Sequence, residues 1–127
     1  MEQNVIDTVA AMTAALESGD IDAVLSYYVH DAVVAFEPGA PVRGERPLRE
    51  GFAAFAALTP EFRYGNGHEV MIAGDTAVHI APWTMTGTAP DGTPVAQSGL
   101  SVATLRQQPD SSWKIALDNP FGARLIP

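Results

Sequence analysis

The side chains best suited to proton transfer in this sequence are Asp118, followed by Asn119 at the end of the last strand-like segment, and His79, just before Pro82 and Trp83. A carboxyl group such as that of Asp118 serves as general acid or base, and a partly apolar setting raises its pKa toward neutrality. The imidazole of His79 titrates near neutrality and suits a proton shuttle. Tyr28 adds a third polar group. Each has a plainer reading. Ionisable side chains are mostly exposed, which favours a strand-end Asp118 in solvent or capping a turn. A single histidine without a visible partner fits an outer face or an interface. By alternation along Trp113, Ile115 and Leu117, Asn119 and not Asp118 continues the face of the tryptophan. His79 groups in the same way with Ala77, Ala81, Trp83 and Met85, unless a bulge at Pro82 changes the parity. The three histidines, His30, His68 and His79, lack short ligand spacing and there is no cysteine, so neither a metal nor another cofactor is expected.

These groups must be positioned by helices in the first half of the chain and strands in the second. Val5, Val9, Met12 and Leu16 recur at helical spacing and predict one helix ending near Ser18-Gly19. Asp20 is placed to cap a second, whose stripe runs Ile21, Val24, Leu25 and Tyr28. A short strand around Val33-Val34 and Phe36 follows, stopped by Pro38-Gly39. A third helix opens near Gly44, tolerates Pro47 in its first turn, and buries Leu48, Phe52, Phe55 and Ala56. Three reversal signals, Ala73-Gly74-Asp75-Thr76, Pro90-Asp91-Gly92-Thr93 and Pro109-Asp110-Ser111-Ser112, then divide the rest into long antiparallel segments. These segments run over 62–72, 76–87, 94–107 and 113–119. Gly65, Gly67, Pro82 and Gly99 are breakers suited to bulges, with Pro82 at a bulge or an edge. The tail from Pro120 to Pro127 either frays or covers a pocket mouth.

Composition bounds the rest. The 127 residues, 46% of them hydrophobic, suit one domain spanning 1–127 with a single core. A formal net charge of -8 repels phosphate backbones and anionic lipids, so nucleic acid is not an expected partner. The longest small-apolar stretch, Phe52 to Leu58, is far too short to span a bilayer. Absence of cysteine, and an N-terminus carrying Glu2 and Asp7 without a basic run, lead to the expectation of a cytoplasmic protein without membrane attachment.

The run Ser18-Gly19-Asp20-Ile21-Asp22-Ala23 through Tyr28, then His30-Asp31-Ala32-Val33, Gly44 opening a helix, Gly74-Asp75-Thr76-Ala77-Val78, Asp91-Gly92, and Trp113-Lys114-Ile115 closing with Asp118, resembles the NTF2-like superfamily. Within it the chain is most similar to the SnoaL-like and DUF4440 groups, often called ketosteroid-isomerase-like. The resemblance implies an α+β, cystatin-like cone with three N-terminal helices packed in a strongly bent, antiparallel-rich sheet. It also implies an internal cavity and frequent dimerisation. No single activity follows, because the superfamily spans isomerases, dehydratases, cyclases, hydrolases and non-catalytic binding modules.

Steroid isomerisation needs a carboxylate base beside a carbon acid and two acidic donors at the developing enolate oxygen. Anchored on Gly19-Asp20-Ile21, the family's tyrosine donor falls at Met12, its base at Phe36 with Glu37 one residue later, and its second donor near Ser98 or Ser101. That arrangement does not support a steroid isomerase. In the resembling enzymes polar groups at positions such as that of Asp118 reach the cavity, which makes Asp118 a candidate catalytic residue, and its imidazole makes His79 the other. Met12, Leu16, Tyr28, Phe36, Phe52, Phe55, Trp83, Met85, Leu100 and Asn119 are the candidate ligand-binding residues. The expected ligand is small and apolar or carbonyl-bearing, and the enzyme an isomerase, cyclase or hydratase type. A non-catalytic ligand-binding or dimerisation module is the alternative. Apolar or small residues on both faces of the 77–81 strand point to a homodimer through the convex sheet face.

Overall fold

The structure, a computed structural model, describes residues 1–127. Helix α1 (Glu2–Ser18) buries Val5, Val9, Met12, Thr13 and Leu16 on one stripe. It stops in a glycine C-terminal motif: Gly19, at φ 77°, donates to the Leu16 carbonyl and Asp20 to that of Ala15. The Asp20 side chain then accepts from the Ala23 amide and opens α2 (Ile21–Ser26). Here the chain departs from the sequence expectation. Tyr28 does not extend the stripe of α2; it begins β1 (Tyr28–Ala35), opposite Ile115, while the Ile115 amide donates to the Tyr27 carbonyl. Pairing with a buried strand outweighs one more helical turn.

Strand β2 (Pro41–Arg43) pairs antiparallel with β1 and leads into α3 (Glu45–Ala56), which buries Leu48 and Phe52. The expected segment 62–72 is two short strands, β3 (Glu61–Arg63) and β4 (Glu69–Ala73). Its glycines do not make a bulge but part the strand, with Gly67 at φ 86° donating to the Tyr64 carbonyl. Long strands β5 (Thr76–Thr88), β6 (Pro94–Gln107) and β7 (Trp113–Asn119) complete the sheet. The order is β2-β1-β7-β6-β5-β3, with β4 also on β5. Only the β1–β7 pairing is parallel. The result is an α+β fold of three helices in a curved, unclosed, antiparallel-rich sheet.

Pro82 carries no bulge: β5 and β6 run in unbroken register, with Pro82 opposite Leu100. On its other side β5 pairs with β4 through residues 76–80 and with β3 through 84–86, so Pro82 lies in the gap between them. The Gln107 amide donates to the Asp75 carbonyl, so odd-numbered residues of β5 bond β6 and Pro82 faces the gap, where a missing N–H costs no ladder bond. The bulge that matters is on β7. Thr104 pairs with Leu117 but Leu105 with Ile115, leaving Ala116 extra.

Gly99 also lacks a bulge. A Cβ there would stand 2.7 Å from the Pro120 carbonyl oxygen and about 3 Å from the Trp83 ring, so its bare α-carbon lets the C-terminal segment lie on the sheet. The Trp83 indole N–H donates to that carbonyl at 2.9 Å. Gly99→Ala is therefore expected to destabilise the fold by about 1–3 kcal/mol through overpacking. Urea unfolding measures the loss, and the emission of Trp83 should shift as its hydrogen bond breaks.

Candidate functional site

The helix stripes and the inward face of the sheet do not fill the space between them. They leave a cavity of about 80 Å³, 15 of whose 19 lining residues are hydrophobic. That is room for several waters, each needing on the order of 10–15 Å³. α1 contributes Met12, Thr13 and Leu16; β1 and the turn after it give Tyr28 and Phe36; α3 gives Phe52 and Phe55. Phe62, Trp83, Ser101 and Ile115 complete the sheet side. The aromatic rings support one another, with Phe52 5.1 Å from Tyr28 and edge-on to Phe36 at 4.9 Å, and Phe55 stacked on Phe62 at 5.7 Å between centroids. Gly51 makes room for Phe36, since a Cβ there would come 2.3 Å from the ring.

Asp118 lies in this apolar wall. Strict alternation sends it outward; the extra residue at Ala116 reverses the parity, leaving Leu117 about half exposed and turning Asp118 inward. The Tyr28 hydroxyl donates to Asp118 Oδ2 at 2.6 Å. Oδ1 has no protein partner and is not sealed from solvent. Asp118 as a residue is half-buried, and its position in the wall accounts for the surface it keeps. Burial raises its pKa above the ordinary carboxylate value, and the Tyr28 hydrogen bond opposes that rise in part. Tyr28 is held well above its ordinary pKa, first by burial and then by the negative Asp118, so it remains a hydrogen-bond donor. The pair thus couples a desolvated carboxyl group, with one oxygen free, to a fixed phenol.

A second polar station stands in the same cavity. Thr13 Oγ1 donates to the Val9 carbonyl at 2.9 Å and lies 3.1 Å from the Tyr64 hydroxyl. A hydroxyl has one proton, already committed to Val9, so Tyr64 is the donor. Neither Thr13 nor Tyr64 is a candidate from sequence. Thr13 does share the stripe of Val9, Met12 and Leu16, but Tyr64 sits in the β3–β4 connection, where no periodicity marks it.

His79 has a different place. It lies on the inward face of β5, as the alternation with Ala77, Ala81 and Trp83 implies, and is 0% exposed rather than on an outer face. It does not line the cavity. Its Nε2 is 2.7 Å from Nδ1 of the exposed His68, whose ring in turn lies 5.2 Å from that of Tyr64. Its Nδ1 is buried without a partner. Burial, reinforced by His68, lowers the pKa of His79 to about 4, so the ring is neutral at pH 7.

The cavity therefore brings together Asp118 and the candidates Met12, Leu16, Tyr28, Phe36, Phe52, Phe55 and Trp83; Met85, Leu100 and Asn119 lie outside its lining. Asn119 is exposed and accepts from the Phe121 amide at 3.0 Å, turning the chain so that Pro120 and Phe121 close one side. No group of three His, Cys, Asp or Glu side chains gathers anywhere in the fold.

The sequence matches the model of the SnoaL-like domain over residues 9–109. No curated protein matches it. Among solved structures, the chain is 27% identical to a provisionally assigned aromatic ring hydroxylase from Novosphingobium aromaticivorans, with a TM-score of 0.83 over 99% of this chain and 90% of that one. A provisionally assigned ketosteroid isomerase from Shewanella frigidimarina is 21% identical, with a TM-score of 0.69 over 88% of this chain and 90% of that one. An NTF2-like superfamily protein from Salmonella enterica is 13% identical, with a TM-score of 0.77 over 93% and 87%. The last two likenesses show shared architecture alone. With the family match spanning most of its length, the chain belongs to the SnoaL-like domain family, and its fold is the one shared with NTF2-like proteins.

Proposed function

We propose that the protein binds a small apolar, carbonyl-bearing ligand in its cavity and carries out acid–base chemistry on it without a cofactor, with Asp118 as the proton-transferring group. The observation that supports this reading most is the free Oδ1 of a desolvated Asp118 set in an apolar wall, its other oxygen held by Tyr28. Ionised Asp118 takes the proton from the carbon next to the ligand carbonyl. The C–H electron pair moves into an enolate, and return of a proton from Asp118, itself exchanged with solvent, to the same or a conjugated carbon completes exchange or isomerisation. By the sequence resemblance Met12 and Phe36 fall at the donor and base positions of steroid isomerases; both line the cavity and neither can transfer a proton, which leaves Asp118 as the candidate base. His79 acts through the packing of β5 rather than on the ligand. Deuterium uptake from D2O at the α-carbons of small aryl and cyclic ketones, followed by NMR, tests the proposal. Ketones that bind without catalysed exchange would leave the non-catalytic binding module as the better reading.

The same proposal includes a homodimer through the outer sheet face. Met71, Val78, Thr104 and Leu117 stand in one cross-strand row, with Ile80 beside Val102 in the next and Pro82 beside Leu100. Met71 is 59% and Leu117 51% exposed, an apolar face that one solvated layer does not explain. Sedimentation at micromolar concentration is expected to give a dimer, and the double variant Val78→Lys, Leu117→Lys a monomer with unchanged circular dichroism. A monomeric parent protein would remove this part of the proposal. No helix is long and apolar enough to cross a membrane.

A further inference from the structure

Outside the cavity, and sharing Phe36, Phe55 and Phe121 with it, lies a wider groove of about 650 Å³. We infer that this groove is a second subsite of the same binding site, which holds an extended tail of the ligand ending in a neutral or cationic hydrogen-bond donor. The inference rests on the proposed cavity function, since the ring-bearing head of that ligand occupies the inner chamber.

Three features carry it. The inner chamber, at about 80 Å³, is small beside the groove, so a ligand longer than its carbonyl-bearing head must extend out of it. The shared wall is built rather than incidental. Phe121 sits between three anchors: its own amide on Asn119 Oδ1 at 3.0 Å, the Trp83 indole on the Pro120 carbonyl at 2.9 Å, and the Gly122 amide on the Leu100 carbonyl at 2.8 Å. Gly122 has no room for a side chain, because a Cβ there would come 2.6 Å from Val102 Cγ2. The backbone that carries Phe121 is thus anchored on strands β5 and β6, and Phe121 lines both spaces together with Phe36 and Phe55.

The polar side chains of the groove decide the tail. Glu37, Gln97 and Ser98 line it, and Glu37 is the one charged residue among its ten lining residues. Glu37 forms no ion pair with any cation of the chain. Arg124 packs over Gly39, outside the lining. An unpaired carboxylate on a chain of net charge -8 favours a donor or a cation and repels a carboxylate tail.

The absence of cysteine makes the test direct, because each introduced thiol is the only one. Ser101→Cys places it in the chamber wall and Ser98→Cys in the groove. The probes are acetophenone, 4-(6-aminohexyl)acetophenone and 4-(5-carboxypentyl)acetophenone, and the readout is the rate of modification by methyl methanethiosulfonate. Acetophenone is expected to slow labelling at Ser101→Cys alone, and the aminohexyl probe to slow it at least about 10-fold at both positions. By calorimetry the amino probe should bind at least about 5-fold more tightly than the carboxy probe, and Glu37→Gln should erase that preference. Protection at Ser101→Cys without protection at Ser98→Cys by the long probe overturns the groove assignment and leaves the cavity function standing. A tail preference unchanged in Glu37→Gln overturns the role of Glu37. Protection by no probe at Ser101→Cys removes the cavity function and this inference with it.

Discussion

Asp118→Asn is expected to lower catalysed α-proton exchange by at least about 100-fold while ligand binding and the unfolding midpoint change little or improve. General acid–base groups contribute on the order of 10²–10⁴ in rate, and asparagine keeps the size of the side chain but offers no base. The Tyr28 hydroxyl still finds an acceptor, the amide oxygen, so the 2.6 Å contact survives in kind. Stability should hold or rise, because the substitution removes a carboxyl group whose raised pKa records the cost of ionising it in this wall. The pH dependence gives a sharper readout. As a base Asp118 must be ionised, so the rate rises with pH through its folded-state pKa, above the ordinary carboxylate value, and levels off beyond it. Tyr28→Phe removes the one contact that favours the ionised form, so this rising limb should move to higher pH, with the plateau falling about 10-fold. An Asp118→Asn variant as active as the parent would sink the assignment, and so would a Tyr28→Phe limb that moves to lower pH.

The inward turn of Asp118 was hidden from sequence for a definite reason. Alternation along β7 is regular in sequence, and Ala116 looks like any other residue of a half-buried strand. That it is extra follows only from register: Leu105 is fully buried opposite Ile115, and Thr104 opposite Leu117. Tyr28 follows the same rule of long-range pairing, since its spacing from Ile21, Val24 and Leu25 suits a helix while its pairing with Ile115 makes it a strand residue. Pro82 illustrates the converse. Its lack of an N–H was legible, but a gap between two short strands absorbs the defect without a bulge. Local signals did better. The Gly19 stop, the Asp20 cap, Gly44 before α3 and the three reversals depend on neighbours within a few residues, and each stands where the chain chemistry puts it. The hollow itself leaves no mark in the sequence, because the same apolar residues would serve a filled core. Tyr64 enters the site from an irregular connection, where neither period applies.

Between pH 7 and pH 4 the protein is expected to lose about 2–3 kcal/mol of stability through His79 alone, a large share of a marginal total. The sign follows from the two states. In the unfolded chain the imidazole titrates near its ordinary value of 6.5; in the fold, burial and the neighbouring His68 hold it to about 4. Over that interval the unfolded state binds the additional proton, so stability falls as pH falls, by about 1.4 kcal/mol for each unit between the two values. No protein group meets the proton that Nδ1 would gain, and Nε2 faces His68, whose nearness disfavours a charge on His79. Asp118 acts in the opposite sense, because its pKa is raised on folding and its protonation at low pH relieves the buried charge. The His79 share must therefore be isolated by difference. Urea unfolding at pH 7, 5.5 and 4 would compare the parent with His79→Leu, which fills the site without a titrating group, and with His68→Gln, which can still hydrogen-bond Nε2 but carries no charge. The gap between parent and His79→Leu should change in favour of the leucine variant by about 2–3 kcal/mol as pH drops, and His68→Gln should reduce the acid loss by easing the repulsion. Parallel pH profiles for parent and His79→Leu would show that the imidazole is free to protonate in the fold, and that it is not the sealed, neutral member of the His68 pair described above.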